Sequence, residues 1–224
     1  LQTYGDGCKG ACAYCGLSRE RTGDRSFIRV EWPTYSVTEV LDRLKVCRDA
    51  KRVCLAMVTH RNAAEHLLQI ARRIGPETGI PLSGLITPTL VTREHLPALR
   101  DAGLDKLGIA LDTATPELFR ELRMRTSRGP HRWEDYWQRF EEAIKVFGEG
   151  NVGSHLIAGL GETEQEMVAC LQRVRDLGGA NHLFSFFPEA GTKLVALPPP
   201  PMASYRRLQL AAELVDSDRS RLDR

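Results

Sequence analysis

Three thiols fall within eight residues near the start of the chain, Cys8, Cys12 and Cys15, in the run Gly5-Asp6-Gly7-Cys8-Lys9-Gly10-Ala11-Cys12-Ala13-Tyr14-Cys15-Gly16. No fourth cysteine lies close by. Thiols so spaced are metal ligands by type, and their number narrows the choice of metal. A structural zinc site or an ordinary cubane wants four protein ligands. Three thiolates on a glycine-rich loop would therefore leave one iron of a [4Fe-4S] cluster open, and an open iron can bind a substrate or a cofactor. Two other readings stand beside this one: a zinc knuckle completed by a distant fourth ligand, and three cysteines that fall together by chance.

The rest of the chain must position that loop. Its 224 residues, 42% hydrophobic and 27% charged, are enough for one domain with a sizeable core. A formal net charge of +2 marks out no strongly basic face, which disfavours nucleic acid as the main partner. No apolar run approaches the length of a membrane helix and no basic-then-apolar leader is present, so the expectation is a cytoplasmic protein without a membrane partner. Six cysteines could in principle pair, but three in one short loop make an unnatural disulfide framework. Cys47, Cys54 and Cys170 are scattered among apolar residues and read as small buried hydrophobes.

Read in order, residues 1–5 are extended and feed the cysteine loop as a first strand. Ser36-Val37-Thr38-Glu39 opens a helix with Val40, Leu41, Leu44 and Val46 on its apolar face, ending near residues 49–51. The apolar run at 52–58 is a second strand of the kind covered by helices on both faces. Asn62 can cap the next helix, which Gly75-Pro76 stops. A third strand is expected at 82–86, a helix from a Thr92 cap to Ala102, and a fourth strand at 106–112. Helical pieces at 116–122 and 133–147 precede a fifth strand at 152–158, a helix at 164–177, a sixth strand at 181–187 and a last helix at 204–215. Pro198-Pro199-Pro200-Pro201 reads as a stiff spacer. Six strand-then-helix units argue for an α/β fold with parallel strands, a partial (β/α)6 TIM-like barrel with active residues at the C-terminal strand ends. Residues 1–224 form one core domain, expected to be cut from a longer protein because the chain opens on a strand and stops in the charged run Asp216-Ser217-Asp218-Arg219.

The Cys-x3-Cys-x2-Cys loop, with Tyr14 before its last cysteine, resembles the signature of the radical S-adenosylmethionine (SAM) superfamily. The resemblance to its biotin synthase and lipoyl synthase-like branch extends over nearly the whole chain. Ala102-Gly103-Leu104-Asp105, Leu111-Asp112-Thr113, Ile157-Ala158-Gly159-Leu160-Gly161-Glu162-Thr163 and the Gly191-Thr192 turn carry it. It implies that Cys8, Cys12 and Cys15 ligate the cluster, that SAM chelates the open iron and is cleaved to a 5′-deoxyadenosyl radical, and that Tyr14 packs near adenine. Asp112 would accept hydrogen bonds from the ribose diol, its alternative being a cap for the turn at Thr113. Arg139 aligns with an arginine that faces the methionine carboxylate, a bidentate task for a guanidinium. Gly159 and Gly161 would let backbone approach adenine closely. Met57-Val58-Thr59 stands where the family often has Gly-Gly-Glu, so Met57 would serve the methionine amino group through its backbone. His60, His131 and His155 have no partner at helical spacing and are read as surface or core residues.

The same resemblance implies hydrogen abstraction from an unactivated carbon, with sulfur insertion of the lipoyl type as the favoured reaction. Methylation, rearrangement or cofactor maturation by another radical SAM route is the alternative, and a zinc-stabilised binding module is the alternative from a different class. A biotin-type donor cluster would need cysteines on successive strands, where only Cys54 fits and positions 83–86 and Gly153 hold none. Any second iron-sulfur cluster is thus expected outside this segment. The implied partners are a small-molecule or acyl-carrier substrate and a reductant protein such as a ferredoxin or flavodoxin.

Overall fold

The computed structural model describes residues 1–24, 32–124 and 130–222. Five parallel strands stand side by side in sequence order: β1 (Val53–Ala56), β2 (Leu82–Ile86), β3 (Leu104–Asp112), β4 (Val152–Ala158) and β5 (Ala180–Ser185). Parallel neighbours need long crossovers, and helices supply them: α2 (Ala63–Thr78), α3 (His95–Asp101), α4 (Pro116–Phe119) with α5 (Trp133–Phe147), and α6 (Glu164–Asp176). Helix α1 (Val37–Val46) precedes β1, and α7 (Met202–Asp216) follows β5. Strands of this order with helices outside them form the partial parallel barrel the sequence implies.

One face of each strand builds the core. Leu107, Ile109 and Leu111 of β3 and Leu156 and Ala158 of β4 are buried with Leu67, Ile74, Tyr136, Phe140, Met167 and Leu171 of the helices. Each fully buried aliphatic or aromatic side chain contributes about 1.5–3 kcal/mol of hydrophobic stabilisation. The alternate face, with Leu85, Gly108, Asp112, His155 and His182, looks into the barrel. A side-chain atom added at Gly108 would sit 3.0 Å from Leu85 and 3.4 Å from His155.

Several local expectations change. Residues 1–5 are not a strand; Gln2 N–H donates to the Ala56 carbonyl at 2.9 Å, one backbone bond beside β1. Helix α2 passes through Pro76 and ends at Gly79, a left-handed C-cap, because losing one donor in the last turn costs less than the exit geometry that glycine provides. Asn62 makes no capping hydrogen bond, and Thr92 bonds to His95 while Glu94 takes the N-cap position of α3. Strand β1 is the edge strand of the sheet and its Cys54 is exposed; Cys47 is exposed too, and only Cys170 is the buried hydrophobe expected of all three. By contrast α1 and α6 begin with complete capping boxes, Ser36 with Glu39 and Thr163 with Glu166.

Candidate active site

The cysteine loop lies across the C-terminal ends of the strands, fastened by backbone bonds. Lys9 N–H donates to Thr59 just after β1 at 2.7 Å, and Ala13 N–H donates to Leu122 at 2.8 Å. On the far side Thr22 N–H donates to Gly191, and Leu194 N–H to Ala13. Ala13 and Tyr14 also pack with Leu122, Leu160 and Phe186 in a small apolar cluster of their own. Asp6 pairs with Lys9 and with His60, whose ring stacks on Tyr4 at 3.8 Å.

Within the loop all three cysteines are free thiols. Gly10 N–H points at Cys8 Sγ from 3.3 Å, and Leu17 N–H at Cys15 Sγ from 3.4 Å. Burial pushes the Cys12 thiol up, and that of Cys15 up to about 12, so neither ionises unaided.

Tyr14 O–H donates to Asp112 Oδ2 at 2.5 Å, and Arg123 Nη1 lies 3.5 Å from the same oxygen. Asp112 ends β3 with φ of 66°, in the left-handed region; the cap of α4 is Thr115. Arg123 is 4% exposed and also donates to the carbonyls of Ala110 and Leu111 and to Tyr136 Oη. Burial opposes its charge, but Tyr136, Tyr14 and Asp112 around it hold it well above its ordinary value. A π-helical turn, Arg120–Met124, carries it there.

Gly159 and Gly161, with φ of 98° and 123°, shape the turn after β4, and Glu162 closes it by accepting from the N–H groups of Gly159 and Leu160. The space a side chain on Gly159 would fill holds Pro200, 2.7 Å away, so the proline run packs on this turn. Met57 is buried just beyond β1, its N–H donating to Leu85. Arg139 is elsewhere: it lies on α5 in an ion pair with Glu142, and its charge reaches Glu94 at the head of α3. The guanidinium beside Asp112 belongs to Arg123.

The family model of the radical SAM superfamily matches residues 3–174. The chain belongs to the radical SAM superfamily. A biotin synthase from Paraburkholderia phymatum is 27% identical to this radical SAM chain over 175 residues, 76% of the chain and 46% of the relative. The chain thus spans about half the length of that curated relative. Among solved structures, methylornithine synthase (PylB) aligns with a TM-score of 0.68 at 18% identity over 94% of this chain and 61% of its own. The FeFe-hydrogenase maturase HydG from Carboxydothermus hydrogenoformans aligns at 0.70 and 17% identity over 95% and 50%. These likenesses fix the fold. Among the described residues no helix is long and apolar enough to cross a membrane.

Membership brings SAM and a [4Fe-4S] cluster as cofactors, and a need for a reductant and a substrate. The cysteine loop of this radical SAM domain fits the cluster. Its thiols are unpaired, two already accept amide hydrogen bonds, and metal coordination removes the protons that burial retains. Among the described residues no trio of His, Cys, Asp or Glu groups converges on one point. A single tetrahedral zinc at ~2.3 Å from each sulfur would need that convergence, whereas a cubane asks each thiolate only to reach its own iron.

The histidines are not the isolated residues their spacing suggests. His155 and His182 meet inside the barrel with ring centroids 5.3 Å apart, beside Phe184, and burial pulls His155 down to about 4. They sit opposite each other on β4 and β5, a pairing visible only once the register is known. His131 is 1% exposed, with Nδ1 2.8 Å from Thr89 Oγ1 and 3.0 Å from Tyr136 Oη. Burial, helped by the Arg123 charge, pulls it down to about 3, so its ring is neutral. Sequence spacing alone does not single out Arg123, Tyr136 or His131 for the site. No helical period selects Arg123, because the turn that carries it is π-helical.

Proposed function

We propose that this radical SAM domain cleaves SAM reductively at a [4Fe-4S] cluster held by Cys8, Cys12 and Cys15, and abstracts hydrogen from an unactivated carbon of a substrate in the barrel for sulfur insertion of the lipoyl-synthase type. The observation that carries this reading is the placement of three free thiols on a loop fastened over the strand ends, directly beside the Asp112–Tyr14–Arg123 cluster. Bound there, the cofactors supply the electron transfer and the radical; the protein supplies placement and exclusion of water. Tyr14 holds Asp112 Oδ2, which leaves Oδ1 to accept from a ribose hydroxyl. Tyr14 and Leu160 offer an apolar wall for adenine, and the buried backbone at Met57 faces the methionine end. Arg139 is paired with Glu142 on α5, so Arg123, beside Asp112, is the better placed guanidinium for the methionine carboxylate.

Sulfur insertion draws its support from the likeness to a biotin synthase. Cys54 lies opposite Ser83 in the β1–β2 register, and the His182 ring takes the space beside Gly153. A biotin-type donor cluster therefore has one thiol and no neighbours in this barrel, so the sulfur comes from a cluster outside these residues or from a partner. A ferredoxin or flavodoxin would deliver the electron, and the substrate is a small molecule or a carrier-bound acyl chain.

Anaerobic reconstitution tests each layer. The full-length protein is expected to bind about eight irons, as two cubanes require, and with SAM, reductant and an octanoyl substrate to yield thiolated product by mass spectrometry. Cys8→Ala, Cys12→Ala and Cys15→Ala should each lose the reduced-cluster EPR signal and SAM cleavage. Retention of both in any one overturns the ligand assignment. Four irons with no thiolated product leaves SAM cleavage standing and removes sulfur insertion.

A further inference from the structure

We propose that His131 donates a hydrogen bond from Nε2 to the sulfur ligands at Cys8, and that this bond raises the reduction potential of the cluster. The inference rests on the cluster assignment above. Its starting point is a buried polar atom with nothing to bond: among the described residues His131 Nε2 has no partner, although the ring is sealed from solvent. Buried polar groups are satisfied in native structures, so an orphan at the edge of a cofactor site points to what the cofactor provides.

The hydrogen-bond chain suits the tautomer with its proton on Nε2. Arg123 Nη2 donates to Tyr136 Oη at 3.0 Å, so the tyrosine oxygen is used as acceptor and its O–H is directed onward. His131 Nδ1 lies 3.0 Å from that oxygen and 2.8 Å from Thr89 Oγ1, two hydroxyls either of which can donate to it, and we take Nδ1 as the acceptor. A neutral imidazole that accepts at Nδ1 carries its proton at Nε2. The orphan is therefore a donor, and an anionic sulfur is the acceptor it suits.

Its direction follows from the loop. A side-chain atom built on Gly10 would stand 3.4 Å from Cys8 Sγ, 3.4 Å from Thr59 Oγ1 and 3.5 Å from His131 Nε2. The three atoms surround one small space, which glycine leaves empty. Donors aimed at thiolate or cluster sulfur stabilise the more negative reduced state more than the oxidised one, and so raise the potential. The chain also joins the cluster ligands to Asp112, because Arg123 touches Asp112 at one end and, through Tyr136, orients His131 at the other.

The test is an EPR-monitored redox titration of the reconstituted full-length protein, with iron and sulfide measured on the same samples. His131→Leu and His131→Phe should load iron as wild type does but titrate at a more negative potential. At a fixed potential their reduced-to-oxidised ratio should fall about tenfold, which for one electron is ~59 mV. His131→Gln, which restores an N–H donor, should recover part of the shift. An unchanged midpoint in a fully loaded His131→Leu overturns the proposal. So does loss of iron in both the Leu and Phe variants, which would make His131 a residue of assembly and not of potential. Wild-type protein that binds no iron refutes the cluster assignment itself, and this proposal with it.

Discussion

Asp112 holds a backbone conformation that only glycine adopts freely, with φ of 66° at the last position of β3. What stabilises it is local: Tyr14 from the cysteine loop and Arg123 from the π-helical turn both reach its Oδ2. Arg123 matters most, since it also satisfies two strand carbonyls and Tyr136. Arg123→Met keeps much of the bulk but strips the charge from a buried group and leaves those acceptors unpaired, an effect on the order of 3–5 kcal/mol. Urea unfolding should show that loss as a lower midpoint at unchanged slope, and isothermal titration should show weaker SAM binding in whatever fraction still folds. A variant as stable as wild type would mean Arg123 is a bystander. The cysteines stand out in the sequence by spacing and Asp112 by its strand-end position, and the structure places them together through the Tyr14–Asp112 bond. Arg123 was hidden by geometry: a π-helical turn bonds one residue further along than an α-helix, so the 3.6-residue period that sorts helix faces assigns its residues to the wrong side. Arg139, selected instead, lies on a regular α-helix and found an acidic neighbour three residues on.

At the scale of elements, strands β2, β3 and β4 and the helices between them could be read from their apolar runs, while their ends were less legible: Glu94 and not Thr92 caps α3, and β3 begins at Leu104. Residues 1–5 misled because an extended stretch becomes a strand only if a partner edge accepts its whole length, and β1 accepts one bond. The proline run was unreadable for the opposite reason: its role is set by a turn about forty residues earlier in the chain. Pro200 fills the space over Gly159, and the glycine also holds φ of 98°. Gly159→Ala therefore meets two penalties, backbone strain and collision with the ring, together costing about 2–4 kcal/mol. Pro200→Ala in the same chain removes the collision and leaves the strain. A double-mutant cycle by thermal or urea unfolding should give a favourable coupling of about 1 kcal/mol or more; simple additivity would mean the turn does not rest on the proline run.

For the molecule as a whole, the barrel is open between its first and last strands, and the cysteine loop is what spans the opening at the strand ends. Its fasteners reach three separate places: Thr59 beyond β1, Leu122 in the π-helical turn, and Gly191 and Leu194 beyond β5. These are isolated backbone bonds, two of the four at 3.0 Å or longer, and the apolar cluster beside them is small, whereas β3 and β4 lie within the main core. Local opening there should cost much less than global unfolding. A ligand that binds only the fastened state stabilises all the fasteners together by mass action. Reconstituting the cluster should therefore slow amide hydrogen exchange at Lys9, Ala13, Thr22 and Leu194 in concert, by roughly a hundredfold if binding adds about 2.7 kcal/mol to the closed state. Ile109 in β3 and Leu156 in β4 should exchange far more slowly than the fasteners in the cluster-free protein, and the cluster should slow them by the same factor, because global unfolding releases the ligand too. Chelating the iron should reverse the pattern. Protection confined to residues 8–15, with Thr22 and Leu194 unmoved, would show that the loop holds its cluster without closing the barrel; equal protection of the fasteners and of Ile109 and Leu156 in the cluster-free protein would show that the mouth and the core unfold as one.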